Sequence, residues 1–388
     1  MSYIELDKRY IADTYARFPV EIECGKGSLL YGADGKEYID MGSGIGVNVF
    51  GACDEGWTAA VTEQLNRLQH ASNLYYTGPC AKLAEILCEK TGMQKVFFCN
   101  SGAEANECAI KAARKYAAEK HGDGCFTVAT VKNSFHGRTL TTLAATGQER
   151  FHKLYNPLTP GFVSVSAEKP EELEALADGV KLAAVLIECV QGEGGVIPLS
   201  KEYVEFLREF TEKRGILLMT DEVQTGNGRT GKLYSYMNYG IVPDAVSTAK
   251  GLGGGLPIGA ALLGEKLKDV FAPGDHGSTF GGNPVACAGA YYVISRLDDA
   301  FLAEVTRKGG LLKSFFENAE GISSVSGYGL MLGLKTEKDA REVAKECIQN
   351  GVLCLTAKDR VRLLPPLNTP DGLLLKAAKV IADACKGV

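Results

Sequence analysis

Short apolar runs alternate with helical patterns through the middle of this chain. The runs are rich in β-branched and aromatic residues and lie at positions 96–99, 126–131, 162–165, 182–188, 216–220 and 245–248. Helical patterns such as those at 103–120 and 201–214 separate them. This alternation is typical of a mostly parallel sheet covered by helices on both faces, and it predicts a large α/β domain.

The two ends of the chain follow a different pattern. Residues 28–31 and 36–40 flank a turn at Asp34 and Gly35, which predicts a β-hairpin. After a helical segment from 284 to about 297, a strand–helix–strand rhythm is predicted at 331–334, 340–349, 352–355, 361–364 and 372–385. We therefore predict a large domain over residues 46–290 and a smaller α+β domain formed by residues 1–45 together with 291–388.

Composition places the chain among globular proteins with a large core, since 45% of its 388 residues are hydrophobic and 23% are charged. The formal net charge is -5 and like charges form no block, so neither a nucleic acid nor an anionic membrane is an expected partner. The first residues show no targeting pattern, and no apolar run is long enough to span a bilayer. These features predict a cytoplasmic protein that acts on small molecules.

Cysteine and histidine indicate neither a disulfide framework nor a metal. The twelve cysteines are scattered through apolar segments without a C-x-x-C pair, so most are expected to be reduced core residues. The five histidines form no H-E-x-x-H motif and no close pair. No metal site is therefore expected.

Two of the apolar runs lead into an ionisable residue. Asp221 follows the run at 216–220, and Lys250 comes shortly after the run at 245–248 and before a glycine-rich stretch. Open α/β sheets bind ligands at the carboxyl ends of their strands, so both side chains are expected in one crevice. A lysine amine can hold the aldehyde of pyridoxal phosphate as a Schiff base, while a carboxylate keeps the pyridine nitrogen protonated. The pair predicts a pyridoxal-phosphate site in which Lys250 and Asp221 are catalytic.

Residues 100–106 have the form of a phosphate cradle. They follow a strand, open a long helix and include several small residues, so that N–H groups at the helix N-terminus can approach an anion. The simpler alternative is that Ser101 only caps the helix. Ser278 and Thr279 precede two glycines and suit either a second phosphate contact or a turn that leads into a helix.

Five further residues offer charge or an aromatic face. Phe135 could stack on a planar ring and Arg138 could hold a substrate carboxylate, although a core phenylalanine and a solvated arginine fit the same pattern. Glu188 closes a buried strand, and Glu193 lies in the glycine-rich loop after it, where carboxylates are often functional. Arg362 lies in an apolar segment and should have an anionic partner, either structural or substrate.

Through almost its whole length the sequence resembles the class III aminotransferases, which are fold-type I enzymes dependent on pyridoxal phosphate. The similar segments follow the same order along the chain, at residues 15–20, 100–107, 135–139, 191–196, 221–226, 228–231, 249–250, 253–260 and 277–284. The resemblance implies a fold-type I α/β architecture, with a large domain around a mostly parallel sheet and a smaller α+β domain. It also implies a homodimer with active sites at the interface.

The resemblance implies roles toward the cofactor. Lys250 would form the Schiff base and then shuttle a proton between substrate and cofactor, and Asp221 would pair with the pyridine nitrogen. Gln224 would bond the ring hydroxyl, and Phe135 would stack on the ring. The other expected cofactor-binding residues are Ser101, Gly102 and Ala103 at the phosphate, Glu188, Glu222 and Val223, and Thr279 from the neighbouring subunit.

The implied reaction moves the δ-amino group of N2-acetylornithine to 2-oxoglutarate in arginine biosynthesis. Arg138 would hold the α-carboxylate of donor or acceptor, and Ser278 would touch the donor. Arg362 with Glu193 would form a switchable pair that makes room for 2-oxoglutarate. Ornithine, succinylornithine and 4-aminobutyrate are alternative donors.

Two other hypotheses differ in chemistry. One is an aminomutase or a decarboxylase with the same cofactor. The other is a dinucleotide-binding protein without transamination, although the G-x-G-x-x-G fingerprint is absent after the first strand of the large domain.

Three places depart from the family pattern. Cys189 stands where a proline usually follows the strand-end glutamate, and Asn227 replaces an apolar residue in the Gly-x-Gly-Arg turn. Residues 51–53 lack a histidine that is common there. None of these departures is expected to touch the cofactor.

Overall fold

A computed structural model describes residues 2–387 of the chain. The strands are β1 (Ile22–Lys26), β2 (Leu29–Gly32), β3 (Glu37–Asp40), β4 (Lys95–Cys99), β5 (Thr127–Val131), β6 (Phe162–Val165), β7 (Leu182–Ile187), β8 (Val190–Gln191), β9 (Ile197–Pro198), β10 (Leu217–Asp221), β11 (Ala245–Thr248), β12 (Gly259–Leu263), β13 (Ile322–Tyr328), β14 (Met331–Thr336), β15 (Val352–Leu353), β16 (Leu355–Ala357) and β17 (Arg360–Leu363).

Helices connect several of these strands and flank them at both ends of the chain. They are α1 (Tyr3–Tyr10), α2 (Ser43–Gly46), α3 (Glu55–Arg67), α4 (Gly78–Thr91), α5 (Gly102–His121), α6 (Leu140–Ala145), α7 (Pro170–Gly179), α8 (Lys201–Arg214), α9 (Pro284–Arg296), α10 (Asp299–Phe316), α11 (Ala340–Gln349) and α12 (Asp371–Cys385). Short 3₁₀ helices cover Glu149–Phe151, Ser235–Tyr239 and Lys250–Leu252. Within residues 2–387, none of the helices has the length and apolar character needed to cross a membrane.

A seven-stranded sheet with the order β4-β12-β11-β10-β7-β5-β6 forms the centre of the fold. The pairs from β11 to β6 are parallel, whereas β12 runs antiparallel to both β11 and β4. The predicted mostly parallel sheet is therefore confirmed, with β12 as the exception. Strands β7, β10, β11 and β12 are buried along their whole length, as expected where helices cover both faces.

The carboxyl ends of several strands lie at the same end of this sheet. β10 and β11 are parallel neighbours, and Asp221 lies opposite Ser247 in their register. β5 and β7 run in the same direction as β10. β4 does so too, because two antiparallel steps through β12 restore the direction of β11. The segments that follow these five strands therefore all start at the carboxyl end of the sheet, where open α/β sheets bind ligands.

Two smaller sheets contain strands from the two ends of the chain. Their orders are β1-β2-β3-β15 and β13-β14-β17-β16. The predicted N-terminal hairpin is present as β2 and β3, and β15 pairs with β3 in parallel. The prediction of one strand over 352–355 is wrong, because the backbone leaves the first sheet after β15 and joins β17 of the second sheet as β16. The domain division at residues 45 and 290 stays a prediction.

Candidate active site

A cavity of about 580 Å³ lies at the carboxyl end of the strands of the large sheet. Its volume falls in the range of small-molecule sites. The predicted site residues that line it are Ser101, Gly102, Ala103, Phe135, Arg138, Glu188, Asp221, Val223, Gln224 and Lys250. The structure therefore brings the lysine and the aspartate to one wall, together with the start of α5.

Asp221 is held by donors from three directions. Its Oδ2 accepts a hydrogen bond from Nδ2 of Asn106 at 2.7 Å and lies 2.8 Å from Nδ1 of His136. Its Oδ1 accepts from the backbone N–H of Val223 at 3.0 Å. The Oδ1 of Asn106 in turn accepts from the hydroxyl of Ser247 at 2.5 Å. A carboxylate only accepts, so the proton of His136 is assigned to Nδ1, and the network fixes the orientation of the acid.

Lys250 is half-buried and lines the cavity. Burial, and next the positive charge of Arg362, hold the pKa of Lys250 below the ordinary value of a lysine. The negative charges of Glu193, Asp221 and Glu188 act in the opposite direction without cancelling the shift. A lowered pKa favours the neutral amine, which is the form that attacks an aldehyde.

The start of α5 provides free N–H donors. Ser101 caps this helix, since its hydroxyl accepts the N–H of Glu104 at 3.2 Å and its carbonyl accepts the N–H of Ala105 at 3.0 Å. The first N–H groups of a helix have no partner inside it. The amides of Gly102 and Ala103 thus stay unpaired within the described part of the chain. Capping and anion binding are therefore compatible at this helix start, not alternatives.

Arg138 lies at the exposed rim of the cavity and rests on aromatic rings. Its guanidinium carbon is 4.6 Å from the ring centroid of Phe151 and 5.5 Å from that of Phe135. The guanidinium of Arg150 also lies 4.6 Å from the centroid of Phe151. Rings hold a cation while leaving its N–H groups available, so Arg138 can receive a carboxylate.

Arg362 has the anionic partner that its apolar surroundings demand. Nη1 donates to Oε1 of Glu193 at 2.5 Å and to Oε1 of Gln224 at 3.0 Å. Burial raises the pKa of Glu193, but the charge of Arg362 and its hydrogen bond outweigh burial and leave that pKa below the ordinary value. The ion pair reaches the cavity through Gln224, which lies on the wall.

Glu188 is a second buried acid on the wall. Its Oε1 accepts from the N–H of Phe135 at 2.8 Å, and its Oε2 accepts from the N–H of Gly192 at 3.2 Å. Burial raises the pKa of Glu188 to about 7, with a contribution from the charge of Asp221, while His136 acts to lower it. Through its two hydrogen bonds this carboxyl joins the loop after β5 to the loop after β8.

The structure turns the side chain of Glu222 away from the cavity, against the expectation of a cofactor contact. Its carboxylate accepts from the hydroxyls of Thr225 at 2.5 Å and Ser235 at 2.7 Å, and from the N–H of Tyr236 at 2.9 Å. Successive residues of an extended chain point to opposite sides, so Glu222 faces the interior because Asp221 faces the cavity. Its bonds brace the turn after β10.

Thr279 and Ser278 lie beside the cavity and not on its wall. Thr279 is exposed. The hydroxyl of Ser278 accepts from Nδ2 of Asn100 at 3.2 Å, next to the start of α5. The expected contacts of these two residues with cofactor and donor stay predictions.

Sequence reasoning missed several residues of the wall. They are Tyr15, Val47, Asn106, His136, Leu256, Pro257 and Ile258. Asn106 and His136 lie inside the segments 100–107 and 135–139, so a signal for them existed. Their role as donors to Asp221 depends on contacts between distant parts of the chain, which those segments do not reveal.

A sequence profile described as "Aminotransferase class-III" matches residues 10–385. The chain belongs to the class-III aminotransferases. The "Acetylornithine aminotransferase" of Haemophilus ducreyi is 46% identical over 98% of this chain and 97% of its own length. The protein of that name from Caldanaerobacter subterraneus is 42% identical, with 98% of each chain covered.

Solved structures of other aminotransferases share the fold. The N-acetylornithine aminotransferase of Stenotrophomonas maltophilia superposes with a TM-score of 0.85 at 34% identity, and 98% of each chain is covered. The ornithine aminotransferase of Toxoplasma gondii gives a TM-score of 0.92 at 31% identity, with 98% of this chain and 93% of that chain covered. These likenesses confirm the predicted fold-type I architecture.

As a class-III aminotransferase the enzyme depends on pyridoxal phosphate, as predicted, and the dinucleotide hypothesis is excluded. The residues present fit this cofactor. The unpaired amides of Gly102 and Ala103 suit its phosphate, the anchored carboxylate of Asp221 suits its pyridine nitrogen, and the amine of Lys250, with its lowered pKa, suits its aldehyde. All three groups line the same cavity.

Replacing Asn106 is expected to weaken cofactor binding through Asp221. Asn106→Ala removes one hydrogen bond to a buried carboxylate, so the Kd for pyridoxal phosphate should rise about tenfold. Absorbance titration of the cofactor-free enzyme measures it. Asn318→Ala is the control, because Nδ2 of Asn318 bonds only the carbonyl of Ser314 at the surface. An Asn106→Ala enzyme with the Kd of the control would contradict the anchoring role.

Proposed function

We propose that this enzyme transfers the δ-amino group of N2-acetylornithine to 2-oxoglutarate, which gives N-acetylglutamate semialdehyde and glutamate in the biosynthesis of arginine. The observation that carries the proposal is that Lys250 and Asp221 line one cavity together with the exposed Arg138. The choice of donor is supported by the relatives from Haemophilus ducreyi and Caldanaerobacter subterraneus, both named acetylornithine aminotransferase.

Lys250 is proposed to hold the cofactor and to move the proton. When bound, pyridoxal phosphate supplies an electron-withdrawing ring that stabilises the charge developing on the substrate carbon. The lowered pKa of Lys250 favours the neutral amine, which can take a proton from that carbon and return it.

Asp221 is proposed to keep positive charge on the ring nitrogen. A unit charge about 4 Å away contributes roughly 4 kcal/mol at an effective dielectric near 20, which corresponds to about three pKa units. The bonds from Asn106 and His136 keep the carboxylate oriented without rearrangement. Gln224 and Phe135 line the same cavity and are proposed to bond the ring hydroxyl and to stack on the ring.

The substrate carboxylates are proposed to meet two arginines. Arg138 binds the α-carboxylate of donor or acceptor, since it is exposed, lines the cavity and rests on two aromatic rings. Arg362 is neutralised by Glu193 while the donor is bound. When Glu193 moves aside, Arg362 receives the second carboxylate of 2-oxoglutarate. Ser278 touches the donor from the loop beside α5.

Arg138 and Arg150 form a matched pair for testing the carboxylate contact, because both lie on the ring of Phe151. Arg138→Ala should raise the KM for donor and acceptor about fiftyfold, as expected for the loss of a charged hydrogen-bonding partner. Arg150→Ala should leave both KM values within about threefold. Steady-state kinetics of the two variants measure these values. Equal effects would argue against the role of Arg138.

A donor panel tests the proposed reaction. Rates with acetylornithine, succinylornithine, ornithine and 4-aminobutyrate are measured at fixed 2-oxoglutarate. We expect the highest kcat/KM for acetylornithine, with ornithine and 4-aminobutyrate at least about tenfold lower, a difference of roughly 1.4 kcal/mol in the transition state. One 2-oxoglutarate should be consumed per donor, which separates transamination from decarboxylation or a mutase reaction. A preference for ornithine or 4-aminobutyrate would refute the proposed donor.

An exposed apolar patch is proposed to bind a second copy of the chain. Its members are Leu65, Leu68, Leu74, Tyr75, Tyr76 and Phe280. The patch is continuous across two segments, since the ring of His70 lies 5.6 Å from that of Phe280 and Nδ2 of Asn73 donates to the carbonyl of Ser278 at 2.9 Å. Large exposed apolar patches mark sites of protein association.

The dimer is proposed to complete the phosphate site. Thr279 is exposed next to Phe280 and does not line the cavity of its own chain. In the dimer, Thr279 of the partner subunit would join the amides of Gly102 and Ala103 at the phosphate. The active site would then lie at the interface, which explains why one subunit leaves those amides open.

Leu74→Glu places a charge in this patch, at a leucine that is 85% exposed. We expect a shift from dimer to monomer at micromolar concentration and weaker binding of pyridoxal phosphate, because a buried unpaired charge opposes association. Sedimentation velocity measures the first effect. Val242→Glu, at a valine 63% exposed and outside the patch, should remain dimeric. A dimeric Leu74→Glu protein would place the interface elsewhere.

The enzyme is proposed to work in the cytoplasm. All twelve cysteines carry free thiols, although several lie close to another cysteine in the fold, as Cys354 does to Cys347. Free thiols throughout a chain suit a reducing compartment. Burial keeps the pKa of most of these thiols high, which also protects them from reaction.

A further inference from the structure

The side-chain amide of Asn227 contacts the backbone immediately before Lys250. Asn227 is fully buried in the turn that follows β10. Its Nδ2 donates to Oγ1 of Thr248 at 3.1 Å and to the carbonyl oxygen of Ala249 at 3.0 Å. A carbonyl can only accept, so the nitrogen of the amide must face Ala249. The segment after Asp221 is thus bonded to the segment that carries the lysine.

The bonded peptide sets the direction of Lys250. The carbonyl of Ala249 belongs to the planar unit that joins Ala249 to Lys250, so its orientation fixes ψ of the first residue and φ of the second. Those angles are -141° and 46°. A positive φ is uncommon for any residue except glycine. The N–H of Leu252 donates to the same carbonyl at 2.9 Å, so two donors hold this peptide in an unusual orientation.

The side chain of Asn227 leaves one buried polar atom unpaired, which indicates that its amide has a role. Its Oδ1 is buried and has no hydrogen-bond partner in the part of the chain that the structure describes. An unpaired buried amide oxygen destabilises a fold. The backbone of Asn227 has a φ of 56°, which asparagine tolerates, but glycine would satisfy that angle without the unpaired oxygen. The backbone angle alone therefore does not account for asparagine.

The turn also packs tightly against the lysine loop. A Cβ added at Gly251 would lie 3.2 Å from Cβ of Asn227 and 2.8 Å from Cγ1 of Val49. Little space is left for the peptide before Lys250 to rotate while Asn227 holds it. Loss of the amide removes one of the two donors and lets that peptide relax toward more common angles.

We propose that Asn227 is a positioning residue: its amide holds the carbonyl of Ala249 and thereby aims the amine of Lys250 into the cofactor cavity. The inference rests on the proposed function of Lys250 as the residue that bonds the cofactor. Asn227 does not itself line the cavity.

Four charged groups face the amine that Asn227 aims. Arg362 comes from β17, Asp221 from β10, Glu188 from the segment between β7 and β8, and Glu193 from the loop between β8 and β9. Burial is the largest influence on the amine, and it lowers the pKa. An amine that is held less firmly becomes better solvated, so its pKa is expected to rise toward the ordinary value of a lysine.

Asn227→Gly is the main test, because glycine accepts the left-handed backbone and lacks the amide. We expect kcat to fall about five- to tenfold, as for the loss of roughly one hydrogen bond, and the donor KM to change by less than about twofold. The second readout is the rate at which cofactor-free enzyme bonds pyridoxal phosphate, followed by absorbance across pH. The pH at which this rate is half-maximal, the midpoint, should be higher than in the wild type by about half a pH unit or more.

Controls separate positioning from folding. Asn133→Gly makes the same substitution at another left-handed asparagine, with a φ of 71°, and should keep the wild-type kcat and midpoint. Asn227→Asp replaces the donor with an oxygen that faces the carbonyl of Ala249, so it should lose more activity than Asn227→Gly. If Asn227→Asp does not fold, Asn227→Gly decides alone.

Two results would overturn different claims. Wild-type kcat and midpoint in Asn227→Gly, with only a lower Tm, would show that the amide serves stability alone. Lys250→Ala is measured in parallel by the same absorbance assay. Covalent binding of the cofactor by Lys250→Ala would refute the proposed role of the lysine itself, independently of Asn227.

Discussion

The parallel pairing of β10 with β11 is the constraint on which the site depends. Its register sets Asp221 opposite Ser247, so Lys250 leaves the sheet beside the carboxylate. β5 and β7 share this direction and bring Phe135 and Glu188 to the same edge. The start of α5 arrives there because β4 also runs the same way. One geometric relation thus gathers an amine, an acid and anion-binding amides around a single cavity.

Burial in this cavity has two linked effects. It lowers the pKa of Lys250 and raises that of Glu188 to about 7, so burial shifts both groups toward their neutral forms. Burial also makes any unpaired charge costly. The hydrogen bonds of Asp221 and the ion pair of Arg362 with Glu193 offset that cost and fix the geometry. Burial therefore accounts both for the shifted pKa values and for the hydrogen bonds and ion pair that fix the site.

Much of the large sheet could be predicted because its signals are local. Apolar runs, helical spacing and the ionisable residues at strand ends are visible in short windows, and they located Lys250 and Asp221 on one edge. The orientation of Glu222 also has a local cause, since side chains alternate in direction along β10 and Glu222 directly follows Asp221 at its end. The wrong strand at 352–355 has another cause, because only pairing with β3 and β17 shows where the backbone changes sheets.

The supporting contacts of the site could not be predicted in this way. Asn106 and Asp221 are separated by 115 positions, and His136 reaches the same carboxylate from 85 positions away. The contact of Asn227 with Ala249 likewise joins two loops that become neighbours only after β10 and β11 pair. Such contacts depend on tertiary geometry, which residue type and spacing do not specify. The residues with a chemical role were therefore easier to identify than the residues that hold them in place.

The role of Lys250 as the residue that bonds pyridoxal phosphate can be tested by mapping the modified lysine. Borohydride reduction of the loaded enzyme makes the bond between the amine and pyridoxal phosphate permanent, and mass spectrometry of the digested protein locates it. If Lys250 bonds the cofactor, the added mass is expected on the peptide that contains Lys250 and on no other lysine peptide. A modification at a different lysine, or none at all, would contradict this role of Lys250.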